Sequence, residues 1–196
     1  KVILCAKEHK LENIAVFMAD FKFAHLEVGE AELVAILAEN FEMANYEFNR
    51  FKTPPKGGFK KVREVALVGA ETTEMKSALK RGQTIGKEVN ECRELANTPG
   101  GEMTPKRLAQ SARALAEGLP IDVKVLGRDA MRELGMGAIL AVSNGSDEEP
   151  QFIVMEYKGG APSEAPIALV GKGVTFDTGG LNLKSETGIY EMHMDM

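Results

Sequence analysis

A regular alternation of short aliphatic strands with helical segments limits the folds open to this chain more than any other feature. The pattern predicts strands over residues 2–6, 13–18, 62–68, 121–125, 151–157 and 167–170. Between them, apolar residues at three- and four-residue spacing predict helices over residues 30–41, 73–97 and 128–134, and a further helix from Thr104 and Pro105 onward. Strands that alternate with helices favour an α/β fold whose largely parallel sheet is covered on both faces.

The longest predicted helix, residues 73–97, divides the chain. We expect a partial N-terminal mixed α/β domain over residues 1–72, a linker helix over 73–98, and the first part of a second α/β domain over 99–196. Gly82 and Gly86 lie inside this helix, where each costs about 1 kcal/mol relative to alanine. Their presence predicts that another backbone approaches closely there. Cys92 is predicted to be a small buried residue on the apolar face of the same helix.

Net charge and cysteine content limit the binding partners and the cellular compartment expected for this chain. A formal net charge of −5 gives no general attraction to nucleic acid or to anionic lipid, so neither is an expected partner. No apolar run approaches the ~18 residues that span a bilayer. The two cysteines, Cys5 and Cys92, are too few for a disulfide framework. The chain is therefore expected in a reducing compartment, the cytoplasm.

Residues 169–196 contain the densest group of candidate functional residues. An apolar strand leads into Gly171-Lys172-Gly173, and ligands of α/β sheets bind beyond the carboxyl ends of strands. A phosphate-binding P-loop is excluded because Gly173 stands where that motif needs Ser or Thr, and Pro166 where it needs Gly. The dinucleotide fingerprint also fails, because Phe176 stands in place of its third glycine.

A metal site built from Lys172, Asp177 and Asp195 is the remaining functional interpretation. Carboxylates bind divalent ions such as Mg²⁺, Mn²⁺ and Zn²⁺, and a lysine can join them only as the neutral amine. Lys184, kept protonated, could stabilise a developing oxyanion. The alternative interpretation is an ordinary aspartate at a strand end with surface lysines, and for any one of these residues alone it is the commoner case.

The whole pattern resembles the signature of the M17 leucyl aminopeptidases. The resemblance rests on Lys172-Gly-Val-Thr-Phe-Asp177-Thr-Gly-Gly180, on Leu-Asn-Leu-Lys184 and on Met192-His-Met-Asp195-Met196. It extends upstream through Arg93-Glu-Leu-Ala-Asn97-Thr-Pro-Gly100 and Gly135-Met-Gly-Ala-Ile-Leu-Ala-Val142. Residues from about 90 to 196 carry it, whereas residues 1–89 agree with the family's N-terminal domain only in layout.

The resemblance implies a role for each candidate residue. Lys172 and Asp195 would bind the tighter of two divalent ions, Asp177 would bridge both ions, and Lys184 would be the catalytic lysine that polarises the scissile carbonyl. The implied activity is hydrolytic removal of N-terminal, leucine-like residues from peptides by a two-metal mechanism. The family's usual ions are zinc, manganese or magnesium, and its usual assembly is a homohexamer. Residues 99–196 would then be the N-terminal part of a metallopeptidase catalytic domain.

One departure from the family leaves two alternatives open. The family's later motif, which supplies an Asp and a Glu ligand and an arginine, does not occur in these 196 residues. The chain as given is therefore expected to be incomplete for activity, and a catalytically incomplete fragment is the first alternative. The second is a non-catalytic binding or regulatory module, since some family members also bind DNA. The acidic net charge and the lack of a basic stripe argue against this second alternative.

Overall fold

The computed structural model describes residues 1–23, 25, 27–161, 163–176, 185 and 187. The chain divides into two compact units, Lys1–Glu94 and Leu95–Met196. Within the described residues, no helix combines the length and the apolar character that crossing a bilayer demands. The predicted domain limits at residues 72 and 98 stay a prediction.

The first unit is built around a parallel pair of strands. Its elements are α1 (Val2–Glu8), β1 (Asn13–Phe17), a 3-10 turn (Met18–Phe21), α2 (Glu30–Asn45), β2 (Glu64–Val68) and most of α3 (Thr73–Asn97). β1 and β2 pair in parallel, with Asn13 opposite Glu64 and Phe17 opposite Val68. Helix α2 lies between them in sequence, as a parallel connection requires. The α/β class, the parallel pairing in this unit and the long helix over residues 73–97 are confirmed.

The strand predicted over residues 2–6 is wrong, because these residues form helix α1. The helix buries Ile3, Ala6 and Lys7. Spacings of three and four place these residues on one face of a helix, whereas a strand would place Ile3 and Ala6 on opposite faces. Ile3 and Ala6 form a small apolar cluster with Val62. The branched aliphatic composition of the segment wrongly indicated a strand. The spacing of its buried residues indicates the helix that forms.

The main apolar core of the first unit lies against α2 and α3. Its buried members are Met18, Val34, Ala35, Leu37, Met75 and Ala78. The two helices approach most closely at the glycines of α3. A Cβ atom added to Gly82 would lie 2.2 Å from the carbonyl oxygen of Ala35, and one added to Gly86 would lie 2.8 Å from that of Glu39. The predicted close backbone approach is confirmed.

The second unit contains an antiparallel strand pair. After the end of α3, its elements are α4 (Pro105–Ala116), β3 (Ile121–Leu126), α5 (Arg128–Glu133), α6 (Gly137–Ser143) and β4 (Phe152–Tyr157). β3 and β4 pair antiparallel, with Ile121 opposite Tyr157. The side chain of Thr104 accepts a hydrogen bond from the backbone N–H of Arg107, 3.3 Å away, which caps α4. The predicted start of this helix is confirmed.

The strand predicted over residues 167–170 does not form. Ile167, Leu169 and Val170 are 91%, 93% and 97% exposed, and their backbone pairs with no strand of the described residues. A strand is held by hydrogen bonds to a neighbouring strand, so a correct apolar composition is not sufficient to form one. This segment leads directly to Lys172.

A buried lysine stabilises the carboxyl end of α2. Lys7 is 6% exposed, and its ammonium group donates a hydrogen bond to the carbonyl oxygen of Asn45, 3.3 Å away. It also forms an ion pair with Glu47. The hydrogen bond from Lys7 lowers the pKa of Glu47 from its ordinary value, and partial burial opposes this shift. A cation at this position also interacts favourably with the helix dipole.

Replacing Glu47 with glutamine is expected to lower the free energy of unfolding at about pH 7, because Lys7 would keep a buried charge without its carboxylate partner. The folded-state pKa of Glu47 lies below its unfolded value. The stabilisation is therefore present above the unfolded pKa and is lost as the pH falls through the folded pKa. In urea unfolding, the difference between wild type and Glu47→Gln should shrink from about pH 7 to about pH 3.

The matched control is Glu12→Gln, which removes an exposed ion pair with Arg63 at 3.1 Å. Exposed pairs contribute little to stability, so this variant should differ only slightly from wild type at either pH. A stability difference for Glu47→Gln that stays constant across the pH range would contradict the assigned role of the carboxylate.

Candidate metal centre

Lys172 is the one predicted metal ligand that lies among the described residues. It is exposed and lies in residues 171–176, a segment that belongs to no helix or strand. The glycines on either side leave room around it. Among the described residues, a Cβ atom added to Gly171 would meet nothing within 4 Å, and one added to Gly173 would meet only the Cδ2 atom of Leu108, at 3.7 Å. The amine of Lys172 is therefore accessible to an ion, as a metal-ligand role requires.

The other predicted site residues, Asp177, Lys184 and Asp195, lie outside the described residues. His193, a potential metal ligand two residues before Asp195, lies outside them as well. Within the described part of the chain, no group of three or more His, Cys, Asp or Glu side chains could hold a metal ion. The convergence of Lys172, Asp177 and Asp195 on one ion stays a prediction.

The described end of the candidate segment packs on a tight turn, residues 98–103. The backbone N–H groups of Glu102 and Met103 both donate to the carbonyl oxygen of Pro99, at 2.8 Å each. Thr98 and Met103 are almost fully buried, at 1% and 2% exposure, and fix both ends of the turn in the second unit. Between these ends, Gly100 is in contact with the chain near Lys172.

Gly100 contacts the two residues that precede Asp177. A Cβ atom added to Gly100 would lie 2.7 Å from the Cδ2 atom of the Phe176 ring, 3.2 Å from the carbonyl oxygen of Thr175 and 3.3 Å from the Cβ atom of Phe176. The sequence interpretation missed this contact. The available signal was Pro99-Gly100-Gly101, which follows directly after the predicted linker helix.

Other titratable residues of the described chain do not extend the site. Cys92 is exposed, so its predicted burial is wrong. The buried residues of α3 are Met75, Ala78, Gly82 and Gly86, and Cys92 lies beyond the last of them along the helix. His9 and His25 are exposed. In the acidic run 147–149, Glu149 forms an ion pair with Arg128 at 3.4 Å.

Sequence comparison covers the segment that holds all four predicted site residues. The catalytic-domain model of the cytosol aminopeptidase family matches residues 90–196, more than half of the chain. Two proteins named "Probable cytosol aminopeptidase", from Saccharophagus degradans and Bacillus subtilis, are 44% and 39% identical over 191 and 175 residues. These alignments cover 95% and 89% of this chain.

Two solved structures share the fold. A manganese complex of BotP, a bottromycin maturation enzyme, superposes with a TM-score of 0.76 at 29% identity and covers 94% of this chain. A tomato leucine aminopeptidase variant also gives a TM-score of 0.76 at 29% identity and covers 89%. The chain spans 38% and 35% of the length of the two sequence relatives, and 37% and 35% of the two structures.

Proposed function

The chain belongs to the cytosol aminopeptidase family, and from this membership we propose that it is part of a metal-dependent aminopeptidase that removes N-terminal, leucine-like residues from peptides. The observation that supports the proposal most is the family match over residues 90–196, because all four predicted site residues fall within it. The exposed position of Lys172 and the open space beside its flanking glycines are compatible with the proposal.

The donor set suits a pair of divalent ions. In the proposed site, Lys172 and Asp195 would hold the tighter ion, and Asp177 would be a ligand shared by both ions. Oxygen and nitrogen donors of this kind fit Mn²⁺ or Zn²⁺, and Mg²⁺ where oxygen predominates. Manganese has support from a structural neighbour, since BotP was solved in complex with Mn. When bound, such ions supply a Lewis acid and an activated water for attack on a peptide carbonyl.

In this proposal Lys184 is the catalytic side chain, in addition to the metal ions. As an ammonium group, it donates a hydrogen bond to the carbonyl oxygen of the scissile bond, and this interaction strengthens as negative charge develops on that oxygen. Lys172 differs from Lys184 in needing to be neutral, because an amine must offer its lone pair to an ion. The two lysines therefore take opposite protonation states within one site.

The remaining functional assignments follow from the family. We place the protein in the cytosol, as the names of its relatives indicate, and the unpaired state of Cys5 and Cys92 agrees with a reducing compartment. Its partners are peptide substrates and further copies of itself, in a homo-oligomer that is a hexamer by family resemblance. The activity is assigned to a protein of its relatives' length. The 196 residues alone should lack it, since the family's second carboxylate motif does not occur among them.

Removal and return of the metal tests the proposal. The protein at its natural length should hydrolyse leucine p-nitroanilide, lose this activity on dialysis against a chelator, and recover it with Mn²⁺ or Zn²⁺. A matched assay with N-acetyl-leucine p-nitroanilide should show no hydrolysis, because an aminopeptidase needs a free amine. Activity that survives complete metal removal, or equal hydrolysis of the acetylated substrate, would contradict the proposal. Turnover by residues 1–196 alone would refute their predicted incompleteness.

A further inference from the structure

The turn at residues 98–103 packs against the segment that carries Lys172. Its ends are fixed by the nearly buried side chains of Thr98 and Met103, and its middle contacts Thr175 and Phe176 through Gly100. The neighbouring Gly101 has no described residue within 4 Å of the position where a Cβ atom would stand. One glycine of this pair is therefore in tight contact with the candidate segment, whereas the next faces open space.

We infer that residue 100 is a positioning residue of the metal centre: the lack of a side chain at Gly100 lets Thr175 and Phe176 lie on the turn and so sets the place of Lys172. This inference rests on the proposed function, because it assigns Lys172 to an ion. Gly100 does not have a positive φ, so steric room rather than backbone conformation is the requirement that glycine meets here. Gly101 meets no such requirement.

The contacts predict a graded response to side-chain size. Phe176 is 70% exposed, so its ring can swing outwards to admit a single methyl group. The carbonyl oxygen of Thr175 and the Cβ atom of Phe176 belong to the chain that carries Lys172, and these atoms can move only with that chain. Alanine at position 100 should therefore have a small effect, and the branched side chain of valine should displace the segment.

The effect on metal binding should be large because an ion tolerates little error in the position of its ligands. Lys172 is four residues from Phe176 and three from Thr175, so a displacement of these two residues is passed along the chain to it. Loss of groups that orient metal ligands typically weakens metal affinity by about 10- to 100-fold. We expect Gly100→Val to weaken Mn²⁺ binding by about tenfold or more, and Gly100→Ala to weaken it by less.

The test compares Gly100→Val with Gly101→Val in the protein at its natural length. Titration calorimetry with Mn²⁺ measures metal affinity, and urea unfolding of the metal-free proteins measures stability. Phe176→Ala, alone and combined with Gly100→Val, completes a double-mutant cycle. The loss in the free energy of unfolding of the combined variant should be smaller than the sum of the losses of the two single variants, because removing the Phe176 ring relieves part of the clash with the valine at position 100. Gly100→Ala keeps the metal test informative if Gly100→Val does not fold.

The outcomes separate this inference from the proposed function. Weakened Mn²⁺ binding in Gly100→Val, unchanged binding in Gly101→Val and a coupled cycle support the inference. Equal affinities in the two valine variants, or additive effects in the cycle, overturn it. If the unaltered protein binds no Mn²⁺, both the proposed function and the role of residue 100 in metal binding are wrong. The double-mutant cycle then still decides whether Gly100 and Phe176 pack together.

Discussion

Replacing Asp177 with asparagine is expected to reduce metal-dependent aminopeptidase activity by about 10³-fold or more. In the proposed site this carboxylate would be a ligand of both ions, so its charge would stabilise both of them. The neutral amide keeps the shape of the side chain and removes the charge. Ions contribute several kcal/mol of transition-state stabilisation, and each ~1.4 kcal/mol corresponds to a factor of ten in rate. Initial rates with leucine p-nitroanilide, measured over a range of Mn²⁺ concentrations, give the result.

Asp147→Asn is the matched control, because Asp147 is an exposed residue in the acidic run before Pro150. It makes the same chemical change on the surface and should leave activity and metal affinity unchanged. Without metal, both variants should have the same unfolding midpoint as the wild type. The loss of activity in Asp177→Asn would then come from the metal site and not from a folding defect. Activity of Asp177→Asn within a factor of ten of wild type would remove Asp177 from the ligand set.

Alanine at Gly82 is expected to destabilise the first unit by up to about 2 kcal/mol, although alanine is the better helix former. Propensity alone would raise the free energy of unfolding by about 1 kcal/mol. The added methyl group would, however, stand 2.2 Å from the carbonyl oxygen of Ala35 and 2.9 Å from its carbonyl carbon. These are backbone atoms of α2 and cannot rotate away, so α2 and α3 must separate. Overpacking of this kind typically costs about 1–3 kcal/mol.

Ser77→Ala provides the control on the same helix, because Ser77 is exposed. That change should alter the free energy of unfolding only by the small difference in helix propensity, a few tenths of a kcal/mol. Gly86→Ala should lie between the two variants, since its Cβ atom would be 2.7 Å from the Cβ atom of Glu42 and 2.8 Å from the oxygen of Glu39. If Gly82→Ala raises stability, as propensity alone predicts, the close packing of α2 on α3 is wrong.

The long elements of the fold could be predicted from sequence because their signals are local. Helix α3 has the predicted limits, and Thr104 with Pro105 marked the start of α4. The failures have non-local causes. Residues 2–6 have strand-like composition, but their burial depends on Val62, which the sequence alone does not place. Residues 167–170 are apolar, but a strand also needs a neighbour, and no described residue supplies one.

The candidate site was predictable as a set of residue types and not as a geometry. The motif from Lys172 to Asp195 supplied the candidate donors, and the family match over residues 90–196 includes all of them. Their role as metal ligands stays a prediction. The support of the site was not predictable, because Gly100 and Phe176 are 76 residues apart and nothing local relates them. Cys92 shows the same limit, since its exposure is decided by the direction from which α2 approaches α3.

Anomalous diffraction at the manganese absorption edge, from crystals of the natural-length protein grown with Mn²⁺, tests the central assignment most directly. We predict a peak at about 2.0–2.3 Å from the Nζ atom of Lys172 and from a carboxylate oxygen of each of Asp177 and Asp195. A manganese peak held by other residues, with these three side chains directed to different places, would contradict the assignment.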